Sequence, residues 1–514
     1  MKKRSWSLAG LAISLMLSTA LVGCGSSGAG SGSAADPSGG NSGGEKVLTI
    51  AKSADITGFD IHNYSNTGTE ATLVNMFSYL IKRDKEGLFQ PDLAEYWENV
   101  NPTTWRFQLR KGVTFHNGDP FTAEDVKFSL ERVSKDEKLV QYGNYKQIKE
   151  VNVIDEHTVE IVTEQPEPVL LSRLSRIGSG MLPSKYIKEK GFDEFLKNPV
   201  GTGPYKFQEW IRDDRLTMVK FDQYYAGTPQ WDKVVVRSIP EEATRVSELL
   251  TGGIDLAIQI PPTDMERVNT DTTASITGPT TRVSMLTVKV DKDRPTADPR
   301  VREAIDLAID KKLLISSIFE GEGVETRTGL VPGIFGADKN FYEKSQYDPE
   351  RAKQLLKEAG YENGPTITFT GSVGKSLKDK ETSEIIASML EQVGFKVELE
   401  VLDNSRFNEK RAADKTGDLT LIAYGNSLFD ADLLYKRLKP DTHFDNPELE
   451  KLLNDAERNM NVEERKKQYA RAQEIIDQER LNIHLLHVVA QYGYNKRIKF
   501  EPRLDEMIFA ESIR

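Results

Sequence analysis

The stretch Pro199-Val-Gly-Thr-Gly-Pro-Tyr205 constrains this chain more than any other. Gly201, Gly203 and Pro204 punctuate it, and that chemistry predicts a rigid turn feeding a strand. The strand is expected over residues 205–210, with a second apolar run at 216–221. Tyr224-Tyr225 and Trp231 follow, then a strand at 234–236 and a helix carrying Thr244-Arg245, closed by Gly252-Gly253.

A chain of 514 residues has room for two to four domains or one large bilobal fold. Its net charge of -11 gives no basic footprint for nucleic acid. Lys2, Lys3 and Arg4 precede an apolar run over residues 5–22, which ends in Leu21-Val-Gly-Cys24. Small residues before a cysteine resemble the site at which lipoproteins are diacylated and cut. Residues 1–23 are therefore expected to be a lipoprotein signal peptide. Cys24 would be the lipidated first residue, holding the protein to the outer face of the cell membrane. Cys24 is also the only cysteine, so no internal disulfide forms. Residues 24–44 are almost wholly Gly, Ser and Ala and read as a tether that buries nothing.

Folded sequence begins with a short strand at 47–51. Leu73, Met76, Phe77 and Leu80 fall at helical spacing and predict a helix over 70–80. Trp105, Phe107 and Leu109 alternate as in a half-buried strand, and Asn117-Gly118 is a turn signal. Thr122 with Asp125 makes a near capping box, opening a helix whose buried stripe includes Val126, Leu130 and Val133. Residues 151–162 read as a hairpin. Asp298-Pro299 starts a helix with proline at its first position. Beyond residue 360 strands and helices alternate: strand 366–370, helix 382–393, strand 396–402, helix 405–412, strand 419–423. That rhythm implies a parallel or mixed sheet covered by helices. The expected fold is α/β with two lobes. Lobe one takes 45–280 with 489–514 returning to it, and lobe two takes 281–488. Two crossings, near 280–290 and near 485–492, make a hinge, and ligands sit in interlobe clefts.

Catalytic motifs fail. Gly371-Ser-Val-Gly374-Lys375-Ser376 mimics a phosphate loop, but the first glycine of the real motif is replaced by Phe369. No Gly-x-Ser-x-Gly elbow occurs beyond the Gly/Ser tether, and no His-Glu-x-x-His occurs. The chain is expected not to be an enzyme and to need no cofactor.

The run PVGTGPYKF…FDQYYAGTPQWDKVVVRSIPEEATRVSELLTGGIDL and the earlier block PDLAEYWE…TTWRFQLRKGVTFHNGDPFTAEDVKFSLERV resemble the peptide/nickel class, family 5, of extracytoplasmic solute-binding proteins. The resemblance covers about residues 47–500. It implies a periplasmic-binding-protein-like fold of the large cluster with an extra domain, ABC permease and ATPase subunits as partners, and a monomer closing over a small polar solute. Peptide-binding members carry a Trp-rich segment with an acidic anchor, ending in Asp-Pro. Here the equivalent is Ala423-Tyr424-Gly-Asn-Ser-Leu-Phe429-Asp430-Ala431-Asp432, without Trp and with Ala431 in place of Pro. That is more similar to the nickel- and metallophore-binding branch, which implies a nickel or other transition-metal chelate as ligand, with a di- or oligopeptide as the alternative. On the same resemblance, Arg176 would hold a ligand carboxylate, and Tyr424, Phe429, Asp430 and Asp432 would line the cleft. His443, fourteen residues after Phe429, would ligate the metal. A surface signalling or adhesion lipoprotein on the same fold is the reading from another class.

Overall fold

The turn at Gly201–Gly203 lies hard against another part of the backbone. A Cβ on Gly201 would sit 2.0 Å from the Met76 carbonyl oxygen, and one on Gly203 would sit 2.6 Å from its carbonyl carbon. The approach is held by main-chain hydrogen bonds: Gly203 N–H donates to Met76 O (2.9 Å) and Tyr205 N–H to Asn75 O (3.0 Å). His116 closes the turn from the other side. Its Nδ1 accepts from Gly201 N–H (3.2 Å), so Nε2 carries the proton and donates to Gly203 O (2.9 Å). Burial pulls the pKa of this neutral imidazole down to about 4.

This computed structural model describes residues 44–514 apart from Ser65, 343–345, Gly374, Lys375 and Leu377. The signal peptide, Cys24 and most of the tether, together with Gly374 and Lys375 of the phosphate-loop mimic, lie outside the described residues.

The strand fed by the turn is Tyr205–Ile211, and it forms a hairpin with Arg215–Lys220. Lys233–Ser238 continues the antiparallel order, and Val47–Lys52 then pairs parallel to it. Leu256–Ile258, Ala490–Asn495 and Thr273–Gly278 complete a seven-stranded sheet. Its inward side chains, including Leu48, Ile50, Tyr205, Met218 and Val234, form one core.

A second, six-stranded sheet has Arg282–Val288 antiparallel between Asn482–His487 and Leu419–Gly425. Thr366–Val373 pairs parallel with both Leu419–Gly425 and Lys396–Asp403. The sheet is therefore mixed, and the helices Asp379–Gln392 and Asn404–Ala412 join its parallel strands. The chain leaves the first sheet after Gly278, enters the second at Arg282, and returns between His487 and Ala490. The two connections touch: the Thr280 hydroxyl donates to Val488 O, and Val488 N–H to Arg282 O (2.9 Å).

A four-stranded antiparallel sheet, Ala94–Asn101, Thr104–Leu109, Thr158–Thr163 and Ile148–Asp155, packs under the helix Ala123–Lys135. Asp125 accepts the Thr122 N–H (2.9 Å), as the capping-box spacing implies, and its other oxygen takes the Ser184 N–H (2.9 Å).

One expected helix is shorter than its periodicity. It spans Thr67–Leu73 rather than 70–80. The carbonyls of Asn75 and Met76 are taken by the glycine turn, so they cannot serve a continuing helix.

Gly203→Ala is expected to lose roughly 3 kcal/mol of stability in urea unfolding, because backbone rather than a movable side chain blocks the methyl group. His116 makes stability pH-dependent. An unfolded histidine takes a proton near pH 6.5, whereas this one resists until about 4. Its contribution is therefore complete above pH 6.5 and declines as pH falls towards 4. Between pH 7 and 4.5 it amounts to about 2 kcal/mol, and the acid loss measured by urea unfolding is expected to shrink in His116→Gln.

Candidate functional site

A cavity of about 670 Å³ lies between the two large sheets. Ile50 and Lys52 enter from the first sheet, with Ile258 and Tyr492 beside them. Arg282, Ser284 and the segment Leu421–Ile422–Ala423 enter from the second, and Val488 and Val489 of the return connection close it. Ser372, Ser376, Asp379 and Thr382 come from the start of the helix Asp379–Gln392 and the strand before it. Strand ends face the cavity because both chain crossings lie there.

Its charges are of both signs. Lys52 is buried, and its ammonium donates to Gly68 O (2.9 Å) and Thr72 Oγ1 (3.0 Å). Burial lowers its pKa to about 8, against the pull of Asp55. Asp55 accepts from Trp210 Nε1 and from Asp213 N–H, both at 2.9 Å. Arg245 is buried and donates to three carbonyls, Ile239 (2.7 Å), Pro240 (2.8 Å) and Gln259 (2.8 Å). It thereby fixes the loop at Gln259, which has φ +61° and accepts the Ser53 hydroxyl at 2.6 Å. Arg282 pairs with Glu506. Asp379 accepts from the Ser372 hydroxyl (2.8 Å) and Ser376 N–H (3.1 Å). Thr382 Oγ1 is buried without a hydrogen-bond partner among the described residues. Aliphatic side chains fill the remaining wall, among them Val236, Ile260, Leu421 and Ile422. Such a surface suits a small solute with both an ammonium and a carboxylate and some apolar bulk.

The six residues that the family resemblance implies for the ligand or metal lie elsewhere, and none of them lines this cavity. Arg176 is bound by the buried Glu70, with Nε donating to Oε1 at 3.2 Å, and the same oxygen accepts Ile177 N–H (3.1 Å). Arg176 and Phe429 border a second cavity of about 50 Å³ with Tyr79, Arg83 and Asp505. Phe429 has φ +56° and lies under the Arg83 guanidinium, 4.4 Å from its carbon to the ring centre. Tyr424 stands near the end of the Leu419–Gly425 strand and its hydroxyl donates to Leu433 O (3.4 Å). Asp430 caps the helix Ala431–Tyr435 and takes both arms of Arg465 at 2.6 and 2.7 Å. Asp432 pairs with Lys436 (2.9 Å). His443 stands between Asp291 (2.8 Å) and Asp414 (3.0 Å), and it too lies outside the cavity lining. Among the described residues no group of three or more His, Cys, Asp or Glu is placed to hold a metal ion.

Lys52, Arg282, Asp379 and Glu506 carry no motif signal as site residues, and Arg245 stands in the family motif without an assigned role. The usable signal was position: Lys52 ends a strand, and Arg282 begins one just after the first crossing between sheets.

Asp430 and Arg465 are both buried, so Arg465→Met would leave a carboxylate unpaired in the interior. A loss of about 4 kcal/mol is expected on chemical denaturation.

Comparison with known proteins agrees with this architecture. The family model for bacterial extracellular solute-binding proteins, family 5 Middle, matches residues 89–446. The glutathione-binding protein GsiB of Salmonella choleraesuis (strain SC-B67) is 30% identical over 383 residues, 72% of each chain. The solved periplasmic binding protein DppA from Helicobacter pylori, in complex with the peptide STSA, is 25% identical with a TM-score of 0.74, covering 91% of this chain and 97% of that one. NikA from Brucella suis, in complex with Fe(III)-EDTA, shares the fold with a TM-score of 0.82 at 21% identity, over 91% of this chain and 100% of that one. The α/β fold of the periplasmic-binding-protein kind is thus shared, and these relatives bind solutes rather than transform them. The chain belongs to the bacterial extracellular solute-binding proteins, family 5, as a substrate-binding protein of an ABC importer and not an enzyme.

Proposed function

We propose that this protein captures a small zwitterionic solute of the short-peptide class, glutathione included, in the 670 Å³ cavity and delivers it to a membrane permease. The observation that carries this is the mixed lining. Lys52 and Arg282 provide cationic groups, Asp55 and Asp379 anionic ones, and apolar walls lie between them. A ligand with both charges can pair at each end, whereas a purely anionic or purely cationic one would face a like charge. Among the described residues no histidine lines the cavity, so a nickel chelate would have to arrive with its ligand set complete.

Residues 45–280 with 489–514 act as one lobe and 281–488 as the other, and closure turns about the two adjacent connections. The smaller cavity shares Thr67 and Glu506 with the larger. Arg176 and Phe429 would therefore meet the end of a ligand long enough to pass Glu506. Tyr424, Asp430, Asp432 and His443 then act as supports of lobe two through the pairings described above. A lipid on Cys24 and the tether over residues 24–44 keep the monomer at the outer face of the membrane, within reach of the permease and its ATPase subunits.

Calorimetry on the full chain in detergent tests the solute class, with reduced glutathione, a di- to pentapeptide mixture and nickel with excess histidine as separate titrants. Heat is expected with glutathione or peptides; heat with nickel–histidine alone would overturn the peptide reading and restore the metal chelate. Lys52 adds a pH signature. It is charged below about pH 8 and loses its proton above it. Affinity is therefore expected to fall from pH 7 to 9, and Lys52→Met is expected to bind roughly tenfold more weakly and to lack most of that fall.

A further inference from the structure

An ion pair links the first crossing to the C-terminal segment. Arg282 opens the Arg282–Val288 strand just after the first crossing, and Glu506 lies in the segment that follows the returning strand Ala490–Asn495. Arg282 Nη2 donates to Glu506 Oε2. Both residues line the larger cavity, and Glu506 also borders the smaller one, so this carboxylate stands on the boundary between them.

The pair is unevenly matched. A guanidinium offers five N–H donors in a planar fork that fits a carboxylate through two parallel hydrogen bonds. Here one arm is used, and Arg282 Nε is buried without a partner among the described residues. The Arg282 side chain keeps 35% of its surface open, against 15% for Glu506. Glu506 is held in a conformation unusual for its type, with φ +61°. Its burial pushes the carboxyl pKa up, against the pull of Arg282. The neighbouring Asp505 does not share this situation, because Arg503 holds it at 2.9 and 2.6 Å. Compare the firmly built pair Arg465–Asp430, in which both arms are engaged. An arginine that lines a cavity, with one arm engaged by a strained and desolvated carboxylate, is arranged for exchange.

We infer that the Arg282–Glu506 pair is a latch exchanged by the ligand: a carboxylate of the bound solute takes the Arg282 fork, and Glu506 moves off the boundary between the two cavities. The inference rests on the peptide-class reading and narrows it to solutes with a free carboxylate near Arg282. It makes Arg282 a specificity-determining residue and Glu506 a built-in competitor for the same site.

The full chain in detergent would be titrated with glutathione and trialanine, and with glutathione diethyl ester and trialanine amide, whose carboxylates are masked. The free acids are expected to bind at least tenfold more tightly than the masked forms. Arg282→Gln should lose that difference by weakening the free acids alone. Glu506→Gln should tighten the free acids severalfold, because the competing charge is gone. Melting temperatures check folding, and Arg282→Lys, which keeps the charge without the fork, should fall between wild type and Arg282→Gln. Wild type binding a free acid that both variants bind equally well would sink the latch and leave the solute class standing. Wild type binding none of the four probes would sink the solute class and the latch together.

Discussion

Close backbone contact at Gly201 and Gly203 is the constraint on which the rest of the structure leans. Two carbonyls, of Asn75 and Met76, receive the N–H groups of the turn, and that contact stops the Thr67–Leu73 helix where it does. The effect reaches the cavity through Asn75. Its side-chain amide donates to Ile508 O (2.8 Å), and its side-chain oxygen accepts Ala510 N–H (2.8 Å). The C-terminal segment that carries Glu506 is thus tied to the same junction as the strand Tyr205–Ile211 and, through His116, to the loop below the four-stranded sheet. One backbone approach locates three parts of the chain relative to each other, and glycine is what permits it.

Buried charge is used in two ways. Arg465 engages Asp430 with both arms, and Arg245 binds three carbonyls through its two terminal nitrogens; both locate loops that would otherwise be free to shift. Taking such groups from water costs several kcal/mol each, so their value lies in a defined geometry more than in net stability. Around the cavity the pairing is looser. Lys52 holds two neutral oxygens, and Arg282 makes one contact with Glu506. Rigid pairs behind and unsaturated groups in front are what a binding site needs: a stiff frame and partners left over for the solute.

Much of the fold was legible because local chemistry decides it. Asp298-Pro299 does start a helix, with Asp298 accepting Arg300 N–H (2.9 Å). The alternating strands and helices beyond residue 360 do build a mixed sheet. The helix expected over 70–80 was misread because its apolar spacing continues past the residues whose carbonyls a distant turn has claimed. Site residues were harder to find. Arg176, Asp430 and His443 drew notice as charged or polar groups near familiar motifs, yet each is held by a carboxylate or arginine far away in sequence. Nothing in the local sequence announces such a partner.

The sequence by itself determined the class: glycine turn, capping signals, strand and helix periods and the family motifs act over short spans or in fixed order, and the backbone obeys them locally. Only the tertiary structure decided which charged side chains meet at the cavity. Lys52, Arg282 and Glu506 are separated by hundreds of residues and meet only because the chain crosses twice between two sheets. Whether a charged side chain is saturated or free depends on neighbours brought by that crossing, and pairing of this kind has no signature along the chain.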